Sequence, residues 1–338
     1  MECTITEQPQ VETFIKMSVS SLSGKGVTSP IFISGLNIED PAEWASTHRQ
    51  TILTELEQHA ALVFRGFNLD TPEQFEAFSA AICPDLYGNY GDLPKKEVGN
   101  KIYKSTPYPN NMKILFHNES SNTGIWPTKQ FFFCEQPAEC GGCTPLVDCR
   151  AMYQALPKAI QQDFADKGLR YIRNFSEGFD VSWQDYFKTS SIDEVKSICD
   201  RFGLTVSLEE GGTIRTEYNT QGLLALPTGE YSFFNQVQLH HPFCLEPQVK
   251  AVLVELLGMD RLPRNVTFGD GTNISDEQMQ QIAASYEACA VRFDWQKGDV
   301  VMVDNRVIAH GRDEFSGTRK VVVAMADMVN ISGHKSGI

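Results

Sequence analysis

The chain has 338 residues, with 29 Lys plus Arg against 43 Asp plus Glu, a formal net charge of -14 and 41% hydrophobic residues. That length can bury a sizeable core, and β-rich barrels and sandwiches of this size often form one unit, so a single domain over 1–338 with its core at about 28–330 is the expectation. The negative balance has the wrong sign for neutralising phosphates or anionic lipid, which argues against nucleic acid or a membrane surface as partner.

The opening run Met1-Glu2-Cys3-Thr4-Ile5-Thr6-Glu7 is polar and acidic where a secretory signal carries basic and then apolar residues. No stretch approaches the roughly 18 apolar residues of a membrane span. Nine cysteines scattered from Cys3 to Cys289 do not form a disulfide framework. A cytoplasmic protein with reduced thiols is expected.

In chain order, residues 30–34 read as a strand, 41–59 as a helix with Trp44, Ile52 and Leu56 on one face, 61–65 as a strand, and 72–82 as a helix with Phe75, Phe78 and Ile82 inward. Strands are predicted at 112–116 and 129–134. Helices follow at 157–168, 247–258 and 275–290, the last capped by Ser275 and carrying Met279, Ile282 and Tyr286 on one side. Runs at 291–295, 300–303 and 319–326 complete the strands. Helices interspersed among strands without βαβ alternation point to a mainly β fold, an antiparallel core with flanking helices. No repeat divides the chain, and neither a Gly-x-Gly-x-x-Gly nor a Walker-type motif supports a nucleotide fold.

His117 and Glu119 are two apart at the end of a β-like run, so in a strand both would project from one face. The pair means little by itself, because seven His and 43 acidic residues in 338 give about one His-x-Asp/Glu by chance. A second histidine, His310, ends the run Val300-Val301-Met302-Val303-Asp304-Asn305-Arg306-Val307-Ile308-Ala309-His310. Two histidines and one carboxylate from separated strands leave three adjacent octahedral positions open, the facial triad of non-heme iron oxygenases. A chelating 2-oxo acid and O2 need those positions. The acid's remote carboxylate needs a bidentate cation, and Arg319, nine residues past His310 at the head of the last predicted strand, is placed to supply it, with the Thr144 hydroxyl as partner.

With these residues assembled, the chain resembles the taurine dioxygenase and clavaminate synthase superfamily over nearly its whole length. The likeness is carried by Phe116-His117-Asn118-Glu119-Ser120-Ser121, Gly141-Gly142-Cys143-Thr144-Pro145, Asp304-Asn305-Arg306 and Phe315-Ser316-Gly317-Thr318-Arg319-Lys320. Within it, Asn235-Gln236-Val237-Gln238-Leu239-His240-His241-Pro242 and Gly269-Asp270-Gly271 are most like the syringomycin-type amino-acid hydroxylases of nonribosomal peptide pathways. The resemblance implies a distorted double-stranded β-helix (jelly-roll) core. It implies Fe(II) held by His117, Glu119 and His310, with Arg319 and Thr144 on the distal carboxylate of 2-oxoglutarate and O2 as oxidant. Thr144 lies 27 residues after His117, the family's usual interval. Val323 stands where taurine dioxygenase relatives carry another arginine, so taurine-type sulfonate recognition is not implied, and Val303 replaces an aromatic, a packing difference.

The expected reaction is hydroxylation of an unactivated C–H of an amino acid or related natural-product intermediate, free or presented by a peptidyl carrier domain. Family halogenases lack the carboxylate ligand, so Glu119 favours hydroxylation over chlorination. Desaturation, epoxidation and oxidative cyclisation use the same cofactors and remain open, and a binding protein or zinc hydrolase is the remaining alternative. Arg312, Lys113, Asn118, Ser121 and Asn235 are candidates for substrate contact, with Asn122 and Trp126 behind them. Cys134, Cys140, Cys143 and Cys149 invite a zinc reading, but the Gly141-Gly142 turn with Thr144 explains that segment as a cosubstrate-side hairpin. His240 and His241, as strand neighbours, face opposite ways; His48 and His59 with Glu55 lack a third ligand, and His334 belongs to the tail.

Overall fold

The computed structural model describes residues 15–17, 30–36, 38–88, 101–104, 108–176, 178–179, 181–209 and 212–331. The acidic opening run, the expected lower edge of the core at 28, and His334 lie outside them. Among the described residues no helix is long and apolar enough to cross a membrane.

A seven-stranded sheet runs in the order Ile15–Met17, Ile31–Ser34, Ala61–Arg65, Val300–Asp304, Ile125–Gln136, Lys320–Asn330 and Tyr103–Lys104. All its pairings are antiparallel except Ile31–Ser34 with Ala61–Arg65. Side chains alternate across a strand, and here both faces are covered. Phe131, Phe133, Val300, Met302, Leu62 and Phe64 enter one apolar cluster with the helices Pro41–Thr47, Arg49–His59 and Pro72–Ile82. Their neighbours Phe132, Cys134, Val301, Val303, Ala61 and Val63 enter another, with Leu146 and Ile308 of a three-stranded sheet ordered Ile114–His117, Ile308–Arg312, Leu146–Asp148. Two-sided burial is why these strands read as unbroken apolar runs. It is also costly to disturb: Phe133 is fully buried and stacks on Phe75 at 5.2 Å, so truncation to Ala would cost about 3–5 kcal/mol.

A four-stranded sheet, Thr205–Leu208, Ile214–Thr220, Leu169–Phe175 and Arg264–Phe268, was invisible in the sequence because Arg, Asn, Thr and Glu interrupt its apolar pattern. The helices Cys149–Ala155, Trp183–Phe187, Ile192–Phe202 and Val237–His240 were also unforeseen.

Five expectations need correction. The helix expected over 41–59 breaks at His48, whose ring stacks on Trp44 at 4.5 Å and whose Nδ1 lies 2.9 Å from the Trp44 carbonyl. Residues 291–295 make no strand, only isolated bridging at 291 and 292, with Val291 paired to Leu146. The run ending at His310 is two strands, because a turn after Asp304 carries the chain from the large sheet to the three-stranded one, with His310 in mid-strand. Arg319 precedes rather than begins the last strand, which starts at Lys320 with a register shift before Val321. His240 and His241 are not strand neighbours: His240 ends a helix with its ring edge-on to Tyr171, while both ring nitrogens of His241 engage backbone groups of Ile274 and Phe243.

Candidate metal centre

His117 and His310 lie directly opposite each other where Ile114–His117 pairs with Ile308–Arg312, with ring centroids 4.3 Å apart. Position on paired strands thus joins residues separated by more than half of the chain. Nδ1 of His117 is 2.8 Å from the Leu115 carbonyl, so it carries the proton and leaves the Nε2 lone pair for an ion. Phe132 meets the His310 ring edge at 4.8 Å and limits its rotation.

Glu119 does not share a strand face with His117 as the spacing suggested. The strand ends at His117, and Glu119 sits in the turn that follows, just ahead of Ser120 with φ 57°. What aims it is Asn305. The Asn305 side-chain oxygen accepts from the Glu119 amide at 2.7 Å, and its Nδ2 donates to the carbonyls of Glu119 (3.1 Å) and Pro127 (2.8 Å). Gln130 Nε2 donates to Glu119 Oε2 at 2.9 Å, which restrains the carboxylate. The ligand-type atoms of His117, Glu119 and His310 then all lie within 4.8 Å of one another. Two imidazoles and one carboxylate suit a first-row divalent ion such as Fe(II), so the donor set fits the expected metal.

Thr144 and Arg319 meet on the segments that adjoin it. Leu146 is opposite His310, and Thr144, two residues upstream, accepts from Arg319 Nη2 and from Trp295 Nε1, each at 3.1 Å. Arg319 Nε donates to the Gly142 carbonyl at 2.9 Å. Gly142 has φ +73°, and a Cβ there would come within 3.0 Å of Arg319 Cδ and 3.1 Å of Ala138 and Phe315, so this turn admits only glycine without displacement. Burial, then the neighbouring Arg312, pushes the Arg319 guanidinium down to about 10. No carboxylate among the described residues forms an ion pair with it. A desolvated cation in that position favours an anionic ligand.

The substrate candidates fare differently. Asn118 and Asn235 are buried and bond to each other: the Asn118 amide donates to the Asn235 carbonyl, and the Asn235 amide to Asn118 Oδ1, both at 3.2 Å. Asn118 Nδ2 also donates to the Asn305 carbonyl at 2.8 Å, so both residues support the turn that carries Glu119. Ser121 Oγ donates to the Asn118 carbonyl. Lys113 is outside the strand and pairs with Glu287 and Asp313 at the surface. Arg312 donates to the carbonyls of Tyr108, Pro109 and Met112, while its buried Nε has no partner among the described residues. Trp126 packs on Phe234. Among the described residues no cysteine joins a group of three ligand-type side chains. Cys134 is buried with its thiol pushed up to about 12, and Cys149 bonds to Asn118. Cys140 and Gly141 pair with Phe315 and Ser316, not with each other's neighbours in a hairpin. Residues 303 and 323 are both core valines. Gln130 and Trp295 were missed by sequence reading. Asn305 was legible only as part of Asp-Asn-Arg, without a role.

Residues 20–325 match the model of the taurine catabolism dioxygenase TauD, TfdA family. The chain is 33% identical over 283 residues to the dapdiamide synthesis protein DdaC of Enterobacter agglomerans, covering 83% of this chain and 86% of that one. It is 26% identical over 314 residues to a clavaminate synthase-like protein of Arabidopsis thaliana, covering 86% and 90%. The crystal structure of AAD-2 in complex with Mn(II) and N-oxalylglycine superposes with a TM-score of 0.53 at 15% identity, over 93% of this chain and 97% of that one, a likeness of fold.

Proposed function

This chain belongs to the taurine catabolism dioxygenase TauD, TfdA family, and from that premise we propose that it hydroxylates an unactivated C–H of an amino acid or amino-acid-derived natural-product intermediate. It is a 2-oxoglutarate-dependent dioxygenase acting on a small molecule, with Fe(II), 2-oxoglutarate and O2 as its cofactors. In our reading His117, Glu119 and His310 hold the iron, Arg319 and Thr144 hold the distal carboxylate of 2-oxoglutarate, and the substrate is free or carrier-bound. The observation that carries this is the pairing of the His-Glu-His cluster with a half-buried arginine that faces a threonine hydroxyl and no carboxylate among the described residues. The natural-product assignment is supported by the likeness to a dapdiamide synthesis protein. We also read the chain as one cytoplasmic domain, supported by eight free thiols among the described residues. We read the large and three-stranded sheets, which share one apolar cluster, as the walls of a distorted double-stranded β-helix.

When bound, iron with 2-oxoglutarate and O2 supplies the oxidising power, by oxidative decarboxylation to succinate and carbon dioxide. The chain's residues orient that chemistry. His117 offers one fixed nitrogen, Asn305 fixes the Glu119 backbone while Gln130 restrains its carboxylate, and Phe132 walls off the His310 ring. Arg319 and Thr144 fix the cosubstrate's far end, so its 2-oxo acid end approaches the cluster in one orientation. Glu119 keeps the third protein position filled, which favours hydroxyl transfer over chlorination.

Anaerobic addition of Fe(II) and 2-oxoglutarate should give a weak visible charge-transfer absorption. Incubation with an amino-acid panel, free and carrier-bound, should then yield one product heavier by one oxygen, with one succinate per turnover. A product lighter by two hydrogens, or one containing chlorine when chloride is present, would overturn the hydroxylation reading; absence of the absorption in folded protein would overturn the site.

A further inference from the structure

Thr144 is buried, and its hydroxyl has two N–H donors aimed at it from different parts of the chain: Trp295 Nε1 and Arg319 Nη2, each 3.1 Å from Oγ1. A hydroxyl has two lone pairs and one proton. With both lone pairs occupied, Thr144 acts towards its neighbours only as an acceptor, and its own proton is left to donate. Neither donor is free to wander. The Trp295 indole is buried, meets Phe293 at 5.2 Å and 63°, and packs in the cluster that contains Phe132, Leu146 and Val323. Arg319 is braced by the Gly142 carbonyl.

We propose that Trp295 is a positioning residue for the cosubstrate: by donating to Thr144 it turns the threonine proton outward, so that Thr144 donates to the carboxylate beside Arg319. This inference rests on the cosubstrate reading above and adds to it a residue that touches neither iron nor 2-oxoglutarate. The indole N–H does two things at once. It excludes the rotamer in which Thr144 would spend its proton on a protein acceptor, and it satisfies a buried donor that would otherwise be stranded. A carboxylate arriving at Arg319 then meets a donor already oriented, and the cost of ordering that hydroxyl is not charged against binding.

The test is a double-mutant cycle on the Mn(II)-loaded protein, read by calorimetric titration with 2-oxoglutarate and with 2-oxobutyrate, which keeps the chelating end but lacks the distal carboxylate. Trp295→Phe should weaken 2-oxoglutarate by about 5- to 10-fold and leave 2-oxobutyrate within about 2-fold. In a Thr144→Val background the same change should have no further effect on 2-oxoglutarate, because the hydroxyl it orients is gone. Turnover at saturating cosubstrate should hold while the KM for 2-oxoglutarate rises. Equal losses for both ligands, or losses that add across the cycle, would mean that Trp295 is only a wall and would overturn the proposal. If Thr144→Val weakens 2-oxoglutarate and Trp295→Phe does not, the positioning role alone fails. If neither Thr144→Val nor Arg319→Gln weakens it, the cosubstrate reading falls and takes this one with it.

Discussion

Replacing Arg319 by Gln should move stability and cosubstrate affinity in opposite directions. Burial, reinforced by Arg312, lowers the guanidinium from its ordinary value to about 10. Since the folded-state value lies below the unfolded one, the unfolded chain holds the proton more tightly. The penalty on the folded state is therefore fully present below about pH 10 and is relieved as the pH rises above it. At a side chain that retains some solvent contact, screening holds this penalty to about 1–2 kcal/mol. Glutamine ends where Arg319 Nε lies, so it keeps a donor for the Gly142 carbonyl without the charge and gives up only the neutral-acceptor contact to Thr144. The metal-free variant should match or exceed the parent by about 1 kcal/mol in urea unfolding near neutral pH, and the difference should shrink near pH 10. Titration of 2-oxoglutarate into the Mn(II)-loaded variant should show affinity lower by about 30- to 100-fold, the loss of a charge-assisted bidentate contact. A variant destabilised by more than about 1 kcal/mol at neutral pH would refute the reasoning, because the charge would then be stabilising in place rather than held for a ligand. So would an affinity within about 3-fold of the parent.

Asn305→Ala removes the clamp on Glu119 and strands a buried amide, so metal content after dialysis against Fe(II) should fall about 10-fold or more and stability by about 2–4 kcal/mol. Gly142→Ala forces a Cβ against Arg319 at positive φ; the KM for 2-oxoglutarate should rise well above that of the parent, with about 1–3 kcal/mol lost in unfolding. Arg65 donates to both oxygens of the fully buried Asp299, at 2.9 and 2.6 Å. Arg65→Ala should therefore cost about 3–5 kcal/mol in urea unfolding, and an unchanged midpoint would show that Asp299 finds another partner.

Sequence by itself determined the chemistry to look for and most of the two-sided sheet. Residues 61–64 and 300–303 are apolar at every position because both faces are buried, so these strands announce themselves. Donor identity is local as well: two histidines, a glutamate, an arginine and a threonine can be read off with their spacing. The four-stranded sheet could not be read, since its partly polar strands carry no clean period. Tertiary structure alone decided how the donors are held. Glu119 is aimed not by strand alternation but by Asn305, which arrives 186 residues later, and by Gln130 from the neighbouring sheet. Arg312, proposed from spacing as a substrate contact, spends three bonds on carbonyls at 108, 109 and 112. Hydrogen-bond partners depend on which backbones the fold brings within about 3 Å, and that is a property of packing, not of any short stretch of chain.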